Sequence, residues 1–434
     1  MAQETSPVVS GRMLAPSEAL HAEPAETVAY TVVVQGPLQV LALSRAFEAS
    51  CRAHPVFTAR LRSGAAGNEI VVADHSVPAV RVRAASGEPV PATRRLNHDS
   101  DLVGLEVSHA GDRAAVTLLT DHCVADAAAS VALLAELWGH YTDILATGQP
   151  TLLPVSPVPR SLESLLAHRG VPRRERHGME ALFEPAQPSN RPEPAPSTAE
   201  ARGAGSGGHT GRRIRLTAGT TSALARLGRA GGVSIHGLIS AVVMIAHAEA
   251  GADGVEEMSV PLMYPVDVRS RISPPVDPLD GTNIFGTVGF KRSVGIDTDP
   301  LQLARDLLGE LHESIREGVV QQAQLHLTGR DGEAADGPAM VLSPDTVLLT
   351  NWGRIPELRT PSDLTVEDFR GAILQQPLRP AGATDSDEPP APTSTYIVTT
   401  CKGRLSVELT TAHPAAQADA IVSAMERLIG RLAG

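Results

Sequence analysis

The chain has 434 residues, which is long for one compact hydrophobic core and favours two domains or subdomains. Hydrophobic residues make up 42% of the sequence but aromatic residues only 3%, so the cores must rest on aliphatic side chains. The formal net charge of -12 is the opposite of what nucleic-acid-binding proteins usually carry, and we expect no nucleic-acid partner.

The first half of the chain alternates strand-like and helix-like segments. Residues 28–36 are rich in β-branched side chains and predict a strand, and residues 39–55 follow with helical spacing that ends at a proline. Short strands at 69–76 and 79–85 come next, and residues 102–120 predict a hairpin. A helix then extends to about residue 146, and its apolar stripe consists of Val131, Leu134, Trp138, Tyr141 and Leu145.

A change of composition separates this half from the next. Residues 183–212 are rich in Pro, Ala, Gly and Ser and cannot bury enough apolar surface to fold alone. The second half begins with a strand, a helix, a Gly-Gly break and a strongly apolar helix. The further predicted elements are strands at 258–264, 284–295, 346–351, 364–373, 395–400 and 405–411, and helices at 300–319 and 415–432.

Both halves mix strands and helices in the same general order. This order predicts the α/β class, built as two α+β two-layer sandwiches. We expect an N-terminal subdomain over residues 1–180 and a C-terminal subdomain over residues 213–434. A flexible crossover over residues 181–212 would join them.

The cysteines and the N-terminus narrow the class of protein. Cys51, Cys123 and Cys401 are too far apart to suggest a disulfide framework or a zinc knuckle. The N-terminus lacks the basic and apolar regions of a signal peptide. No run of about 18 uninterrupted apolar residues occurs, so we expect no membrane span. These features predict a cytoplasmic protein, and we expect a monomer.

The stretch DHCVADA, residues 121–127, joins the predicted hairpin to the helix that follows it. His122 lies in this loop and can act as a general base, because the unperturbed pKa of histidine is about 6.5. It could equally be an ordinary loop histidine. Asp126 could cap the helix or orient the histidine. We predict no metal site, because no further His or Cys lies at ligand spacing.

DHCVADA resembles the HHxxxDG signature of a superfamily of acyl-transferring enzymes. The superfamily includes chloramphenicol acetyltransferase, nonribosomal-peptide condensation domains and plant BAHD acyltransferases. Residues 264–286 and 349–369 resemble segments of the polyketide-associated acyltransferases, the phthiocerol dimycocerosyl transferase family, and RAHP at 52–55 and CKGRLSVELTTAH at 401–413 fit the same family. The resemblance covers nearly the whole chain outside the crossover. It implies two chloramphenicol acetyltransferase-like subdomains that form a V with a tunnel between them.

The resemblance also implies roles for individual residues. It places the general base on the second His of the motif, here His122, and gives Asp126 a structural role in a pair with an arginine. Arg269 is the candidate partner and Arg12 is the alternative, although Arg269 could also be a solvated surface residue.

Three further residues are candidates for the substrate tunnel, and two positions depart from the family motif. Asn351 could donate to a reacting carbonyl or form a turn, Trp352 could line the tunnel or a core, and Asn283 could be a tunnel group or a turn residue. Asp121 stands where the family has its first His, and Ala127 stands where it has Gly. Asp121 removes whatever that His does to position the loop, and Ala127 adds a methyl group where Gly allows close approach.

The implied reaction is direct acyl transfer without a covalent enzyme intermediate or a permanently bound cofactor. The donor would be an acyl thioester of CoA or of the phosphopantetheine of an acyl carrier protein, and the acceptor an alcohol or amine. Cys123 is not expected to be a nucleophile. No GxSxG elbow, P-loop or dinucleotide-binding fingerprint occurs.

Positive charge near the crossover offers a possible docking surface for an acidic carrier protein. These arginines could equally be solvated linker charge, and they are Arg173, Arg174, Arg176, Arg212, Arg213 and Arg215. Two alternative functions remain open at this point. They are a free-standing amide-forming condensation enzyme and a catalytically idle docking module of the same fold.

Overall fold

The structure, a computed structural model, consists mainly of two β-sheets with helices packed on them. It describes residues 10–22, 25–64, 67–72, 77–185, 210–251, 257–327, 340–342, 346–374 and 394–434. Most of the predicted crossover therefore lies outside the described residues. The division of the chain at residues 181–212 stays a prediction.

Strands and helices are interspersed along the described parts of the chain. The strands are β1 (Ser10–Met13), β2 (Thr27–Gln35), β3 (Arg60–Gly64), β4 (Gly67–Val72), β5 (Arg81–Ala84), β6 (Val103–Ala110), β7 (Arg113–Asp121), β8 (Phe183–Pro185), β9 (Thr210–Arg215), β10 (Met258–Asp267), β11 (Phe285–Val294), β12 (Met340–Leu342), β13 (Val347–Arg354), β14 (Thr365–Leu374), β15 (Ser394–Cys401) and β16 (Arg404–Thr411). The α-helices are α1 (Pro16–Ala22), α2 (Val40–Ala53), α3 (Ala127–Thr147), α4 (Leu162–His168), α5 (Ala218–Gly231), α6 (Ile235–Gly251), α7 (Pro300–Arg316), α8 (Gln322–Leu327) and α9 (Ala415–Ala433). Short 3-10 turns occupy Pro55–Thr58 and Glu180–Leu182.

The first main sheet has the strand order β14-β2-β7-β6-β5 and carries the helices α2 and α3. Strand β2 is buried from its first residue to Val34, as expected of a strand inside a sheet that is covered on both faces. The predicted stripe of α3 supplies the largest core side chains, because Trp138 and Tyr141 are fully buried. A smaller sheet, β1-β4-β3, lies beside this core.

The second main sheet has the strand order β11-β10-β13-β15-β16-β9. Helices α5, α6, α7 and α9 share one hydrophobic core with it. Helix α6 is buried on every side from Gly237 to Ala248, which explains why its sequence is apolar all round rather than amphipathic.

Strand β14 connects the two halves of the molecule. It lies in the second half of the sequence, yet it pairs antiparallel with β2 along the edge of the first sheet. In that register Phe369 lies opposite Val32 and Ile373 lies opposite Val28. The predicted strand at 364–373 is therefore confirmed, but its sheet could not be assigned from the sequence.

Most predicted elements are confirmed, including the hairpin of β6 and β7 and the helix after the motif. The sequence pattern did not reveal β1, β3, α1 and α4, and α1 proves to lie beside the motif loop. Within the described parts of the chain, no single helix combines the length and apolar composition needed to cross a membrane. Helices α5 and α6 reach that length and composition only together, across a bend of 100°.

Candidate active site

The loop that carries His122 is held through its backbone from both halves of the molecule. Strand β7 ends at Asp121, and α3 begins at Ala127. The His122 N–H donates to the Glu26 carbonyl at 2.8 Å, just before β2 begins. The His122 carbonyl accepts a hydrogen bond of 2.7 Å from Asn283 Nδ2. The position of His122 therefore does not depend on contacts of its own side chain.

Asp126 is a buried junction between the halves. Its Oδ1 accepts from Ala129 N–H at 3.0 Å and so caps α3, and its Oδ2 accepts from Ile284 N–H at 3.0 Å. Arg269 donates to both oxygens, at 2.7 and 2.9 Å. Arg269 and Asp126 are only 4% and 5% exposed, so dissolved salt weakens the attraction between their charges very little. The N-cap that the sequence suggested and the ion pair that the family resemblance implied are both present.

Arg12, the alternative partner of Asp126, is engaged elsewhere. Its guanidinium pairs with Glu18 on α1, with donor–acceptor distances of 2.7 and 2.6 Å. Glu18 is fully buried and also accepts from the Thr282 hydroxyl. This contact ties α1 to the segment that contains Asn283.

Asp121, which departs from the family motif, has two partners within the described residues. It is fully buried, and its Oδ1 accepts from the Cys123 N–H at 3.0 Å, which tightens the motif loop. His98 Nδ1 lies 3.3 Å from Asp121 Oδ2 in an ion pair, although the two atoms are not aligned for a hydrogen bond. The Asp121 carboxylate raises the pKa of His98. The substituted position therefore keeps a histidine nearby, supplied from another part of the chain.

The second departure is accommodated by ordinary helix geometry. Ala127 is the first residue of α3, and its φ is not in the left-handed region that would require glycine. Its side chain lines the cavity beside His122.

The ring of His122 stacks on a histidine that the sequence pattern did not reveal. The ring centroids of His122 and His21 are 3.9 Å apart, with an angle of 9° between the planes. His21 Nδ1 lies 2.7 Å from Glu26 Oε2, and the centroid of the Phe285 ring lies 6.2 Å from the centroids of both histidine rings. Nothing in the local sequence signals His21, because it lies on a short helix far from the motif.

Burial lowers the pKa of His122 below its usual value, and the neighbouring His21 lowers it further. Glu26 and Asp126 act in the opposite direction but do not reverse the shift. His122 Nδ1 has no hydrogen-bond partner among the described residues. At neutral pH the ring is therefore uncharged and able to accept a proton.

His21, Glu26 and His122 also form a cluster that could in principle bind a metal ion. Their ligand atoms lie within 4.8 Å of one another. A bound metal lies near the plane of each imidazole that ligates it, and two stacked, nearly parallel rings share no such position. The geometry of this cluster suits proton transfer better than metal binding.

A cavity of 160 Å³ lies between the two halves, and the partly exposed ring of His122 forms part of its wall. Of the predicted site residues, Asp126, Arg269, Asn351 and Trp352 also line it. Asn351 Oδ1 accepts from Gly353 N–H at 2.8 Å, so this side chain forms a turn at the edge of the cavity that the residue lines. Asn283 is fully buried behind the loop instead of in the cavity wall.

Cys123 is buried beside His122 but is poorly suited to nucleophilic attack. Burial and the Asp121 carboxylate raise the pKa of its thiol, so it stays protonated at neutral pH.

The arginines suggested as a docking surface mostly have partners within the chain. Arg213 donates to both carboxylate oxygens of Asp368, at 2.6 and 3.0 Å, and Arg212 pairs with Asp419. Arg176 pairs with Glu317. These contacts give the arginines a structural use, and a docking role for them stays a prediction.

This chain is similar to known proteins over most of its length. Residues 205–410 match the family model described as "Phthiocerol/phthiodiolone dimycocerosyl transferase C-terminus". The phthiocerol/phthiodiolone dimycocerosyl transferase of Mycobacterium ulcerans (strain Agy99) is 30% identical over 422 residues, covering 94% of this chain and 93% of the relative. That of Mycobacterium tuberculosis (strain ATCC 25618 / H37Rv) is 31% identical over 366 residues, covering 83% and 85%.

Solved structures share the fold. Polyketide synthase associated protein 5 from Mycobacterium tuberculosis has a TM-score of 0.75 and 26% identity, covering 100% of this chain and 99% of that one. The first condensation domain of the calcium-dependent antibiotic synthetase has a TM-score of 0.65 at 15% identity, covering 98% and 96%. The trichothecene 15-O-acetyltransferase of Fusarium sporotrichioides has a TM-score of 0.63 at 12% identity, covering 97% and 94%. The predicted fold class is confirmed.

Proposed function

Because this chain belongs to the phthiocerol/phthiodiolone dimycocerosyl transferase family and is an acyltransferase, we propose the following reaction for it. An acyl group moves from a thioester of CoA or of an acyl carrier protein to a hydroxyl or amine of a polyketide, lipid or other natural product. The observation that carries this proposal is the position of His122 in the wall of the cavity between the halves, where burial lowers the pKa of its ring.

The proposed chemistry is a direct displacement at the thioester carbonyl. His122 takes the proton of the acceptor as the acceptor oxygen or nitrogen bonds to the carbonyl carbon. The carbonyl electrons move to oxygen, and the tetrahedral intermediate needs a donor at that oxygen. The Asn351 amide is the candidate donor, because Asn351 lines the same cavity. Collapse then breaks the carbon–sulfur bond, and the His122 proton passes to the leaving thiolate.

The paired state of Asp121 weighs against the catalytically idle alternative. An unpaired carboxylate buried next to the motif would disturb the loop, but His98 and the Cys123 N–H both face it. The loop therefore keeps a defined shape despite the changed motif. Amide formation differs from ester formation only in the acceptor atom, so an assay with both alcohols and amines is needed to distinguish them.

The proposal is tested by measuring free-thiol release from acyl-CoA and acyl-carrier donors with panels of alcohols and amines. We expect thiol release to exceed background hydrolysis and to require the acceptor. The product should have the mass of the ester or amide of that acyl group and acceptor. Release with amines alone would favour the amide-forming alternative. Donor binding without release, for any acceptor and both kinds of donor, would favour the idle docking module.

A second test uses the pH dependence of the rate, because His122 must be neutral to accept a proton. The rate should rise with pH through the lowered pKa of His122 and be level above it. Replacing His21 with alanine removes a group that lowers this pKa, and it also removes the contact of His21 Nδ1 with the Glu26 carboxylate, which raises the pKa of His122. Both changes favour protonated His122, so the acid limb of kcat/KM should move to higher pH.

The matched control for this test is His168→Ala, which removes an exposed histidine at the end of α4. We expect its pH profile to overlay that of the wild type. An acid limb that stays in place in His21→Ala, or that moves to lower pH, would contradict the role given to the stacked pair.

A further inference from the structure

A second and larger cavity lies on the same face of the β2–β14 ladder as the catalytic cavity. It has a volume of 710 Å³. Successive side chains of a strand point to opposite faces of the sheet, so residues two positions apart share a face. Val28 and Ile373 form the pair at the catalytic cavity, and Val32 and Phe369 form the pair at the second cavity. Four residues of strand, about 13 Å, separate the two pairs.

The position between the two cavities is occupied by Trp352. The cross-strand pair there is Tyr30 and Gly371, and Gly371 leaves a gap in the face. A Cβ placed on Gly371 would lie 2.4 and 2.7 Å from ring carbons of Trp352, so the indole lies directly over the glycine. The indole also stacks on Tyr30 with centroids 4.7 Å apart and meets Phe369 edge-on at 6.4 Å.

The backbone of β13 has a β-bulge at Trp352, which changes the direction of this side chain relative to the β13–β15 ladder. Asn351 and Gly353 are paired with consecutive residues of β15, so Trp352 is an extra residue in β13. Gly353 has a φ of 74°, in the left-handed region. Such a bulge redirects a side chain and is common next to active sites. Trp352 is only partly buried, so its side chain is not enclosed in a core.

The catalytic cavity alone is small for a substrate site. Its 160 Å³ is less than the roughly 300–1,000 Å³ of ordinary small-molecule sites, whereas the two cavities joined would lie inside that range. The ladder pairs at the two ends of the passage, Val28–Ile373 and Val32–Phe369, are apolar. The second cavity also has polar walls, which include Arg354, Glu357 and Lys402. An alkyl chain gains apolar contacts along the floor that these ladder pairs form.

We propose that Trp352 determines acyl-chain length by closing the passage from the catalytic cavity to the second cavity. Short chains fit beside His122 with the indole in place over Gly371. Long chains must displace the indole from Gly371 and extend toward Phe369. This inference rests on the proposed acyl transfer, because it assigns the passage to the acyl chain of the donor.

The test compares donors with four-carbon and sixteen-carbon acyl chains on wild type and Trp352→Ala. Opening the passage should raise the ratio of kcat/KM for the long over the short donor by about tenfold or more, since pocket size alone discriminates at about that level per misfitting group. Adding Gly371→Val to Trp352→Ala refills the gap with a residue suited to a strand and should restore the wild-type ratio. An unchanged or lower ratio in Trp352→Ala would overturn the proposal.

A binding measurement separates this inference from the proposed reaction. The chain has 2 tryptophans, and Trp138 is fully buried in the first core, so subtracting the Trp352→Ala signal isolates the fluorescence of Trp352. The probes are alkyl thioethers of N-acetylcysteamine, which cannot be transferred. The sixteen-carbon probe should change the emission of Trp352 and the four-carbon probe should not. Equal responses would refute the closure, whereas absence of turnover with a selective response would refute only the reaction.

Discussion

Replacing His122 with alanine is expected to lower kcat by about 10²–10⁴-fold, the usual contribution of a positioned general base. The loss should come without unfolding, because the backbone of His122 keeps its hydrogen bonds to Glu26 and Asn283. The measurement is thiol release at saturating donor and acceptor, together with a urea unfolding curve for each protein. Rates equal to wild type would remove His122 from the mechanism.

Cys123→Ala is the matched control for His122→Ala. It changes the adjacent residue and removes the thiol next to the proposed base. That thiol is buried, and its raised pKa keeps it protonated. We expect the rate to stay within a few-fold of wild type. A loss as large as that of His122→Ala would point instead to a covalent acyl-enzyme on sulfur.

The parts of the site that follow local rules were accessible from the sequence. Asp126 immediately precedes a helix, where a carboxylate caps free backbone N–H groups, and this role does not depend on the rest of the fold. The strand that ends at Asp121 and the helix that begins at Ala127 follow from hydrophobic periodicity. The family resemblance indicated Arg269, which the fold brings to Asp126 from 143 residues away.

The parts that the sequence did not reveal depend on contacts between distant segments. His21 lies on a seven-residue helix, too short to show a clear periodic pattern, and it meets His122 only because β2 returns to β7. His98 meets Asp121 from a segment outside any helix or strand. The pattern of β14 indicates a strand but not its neighbour, because pairing partners are chosen by packing across the whole molecule.

The position of Asn283 shows the same limit at a finer scale. Its sequence context, Gly-Thr-Asn before an apolar residue, suits both a turn and a polar tunnel group. In the structure it is fully buried and donates to the His122 carbonyl, so it supports the loop from behind. Only the depth of the side chain distinguishes these roles, and depth is a property of the assembled fold.

Removing the carboxylate of Asp126 is expected to cause the largest loss of stability of any single change at the site. Asp126→Asn keeps an oxygen for the cap of α3 but leaves Arg269 buried with its main partner gone. Breaking one side of a buried ion pair typically costs about 3–5 kcal/mol. The same change releases the link between α3 and the segment before β11, so activity should also fall.

Two further variants show whether this loss arises from the buried charge. Asp126→Asn combined with Arg269→Met removes both charges and should recover much of the unfolding free energy, because no unpaired ion remains. Asp143→Asn breaks the pair with Arg359, which is 57% exposed, and should cost less than about 1 kcal/mol. Urea unfolding of these variants, and of Arg269→Met alone, measures the differences. If the double variant is as unstable as the sum of its single changes, the two charges are not coupled, and the loss comes from other contacts such as the hydrogen bond of Asp126 to Ile284.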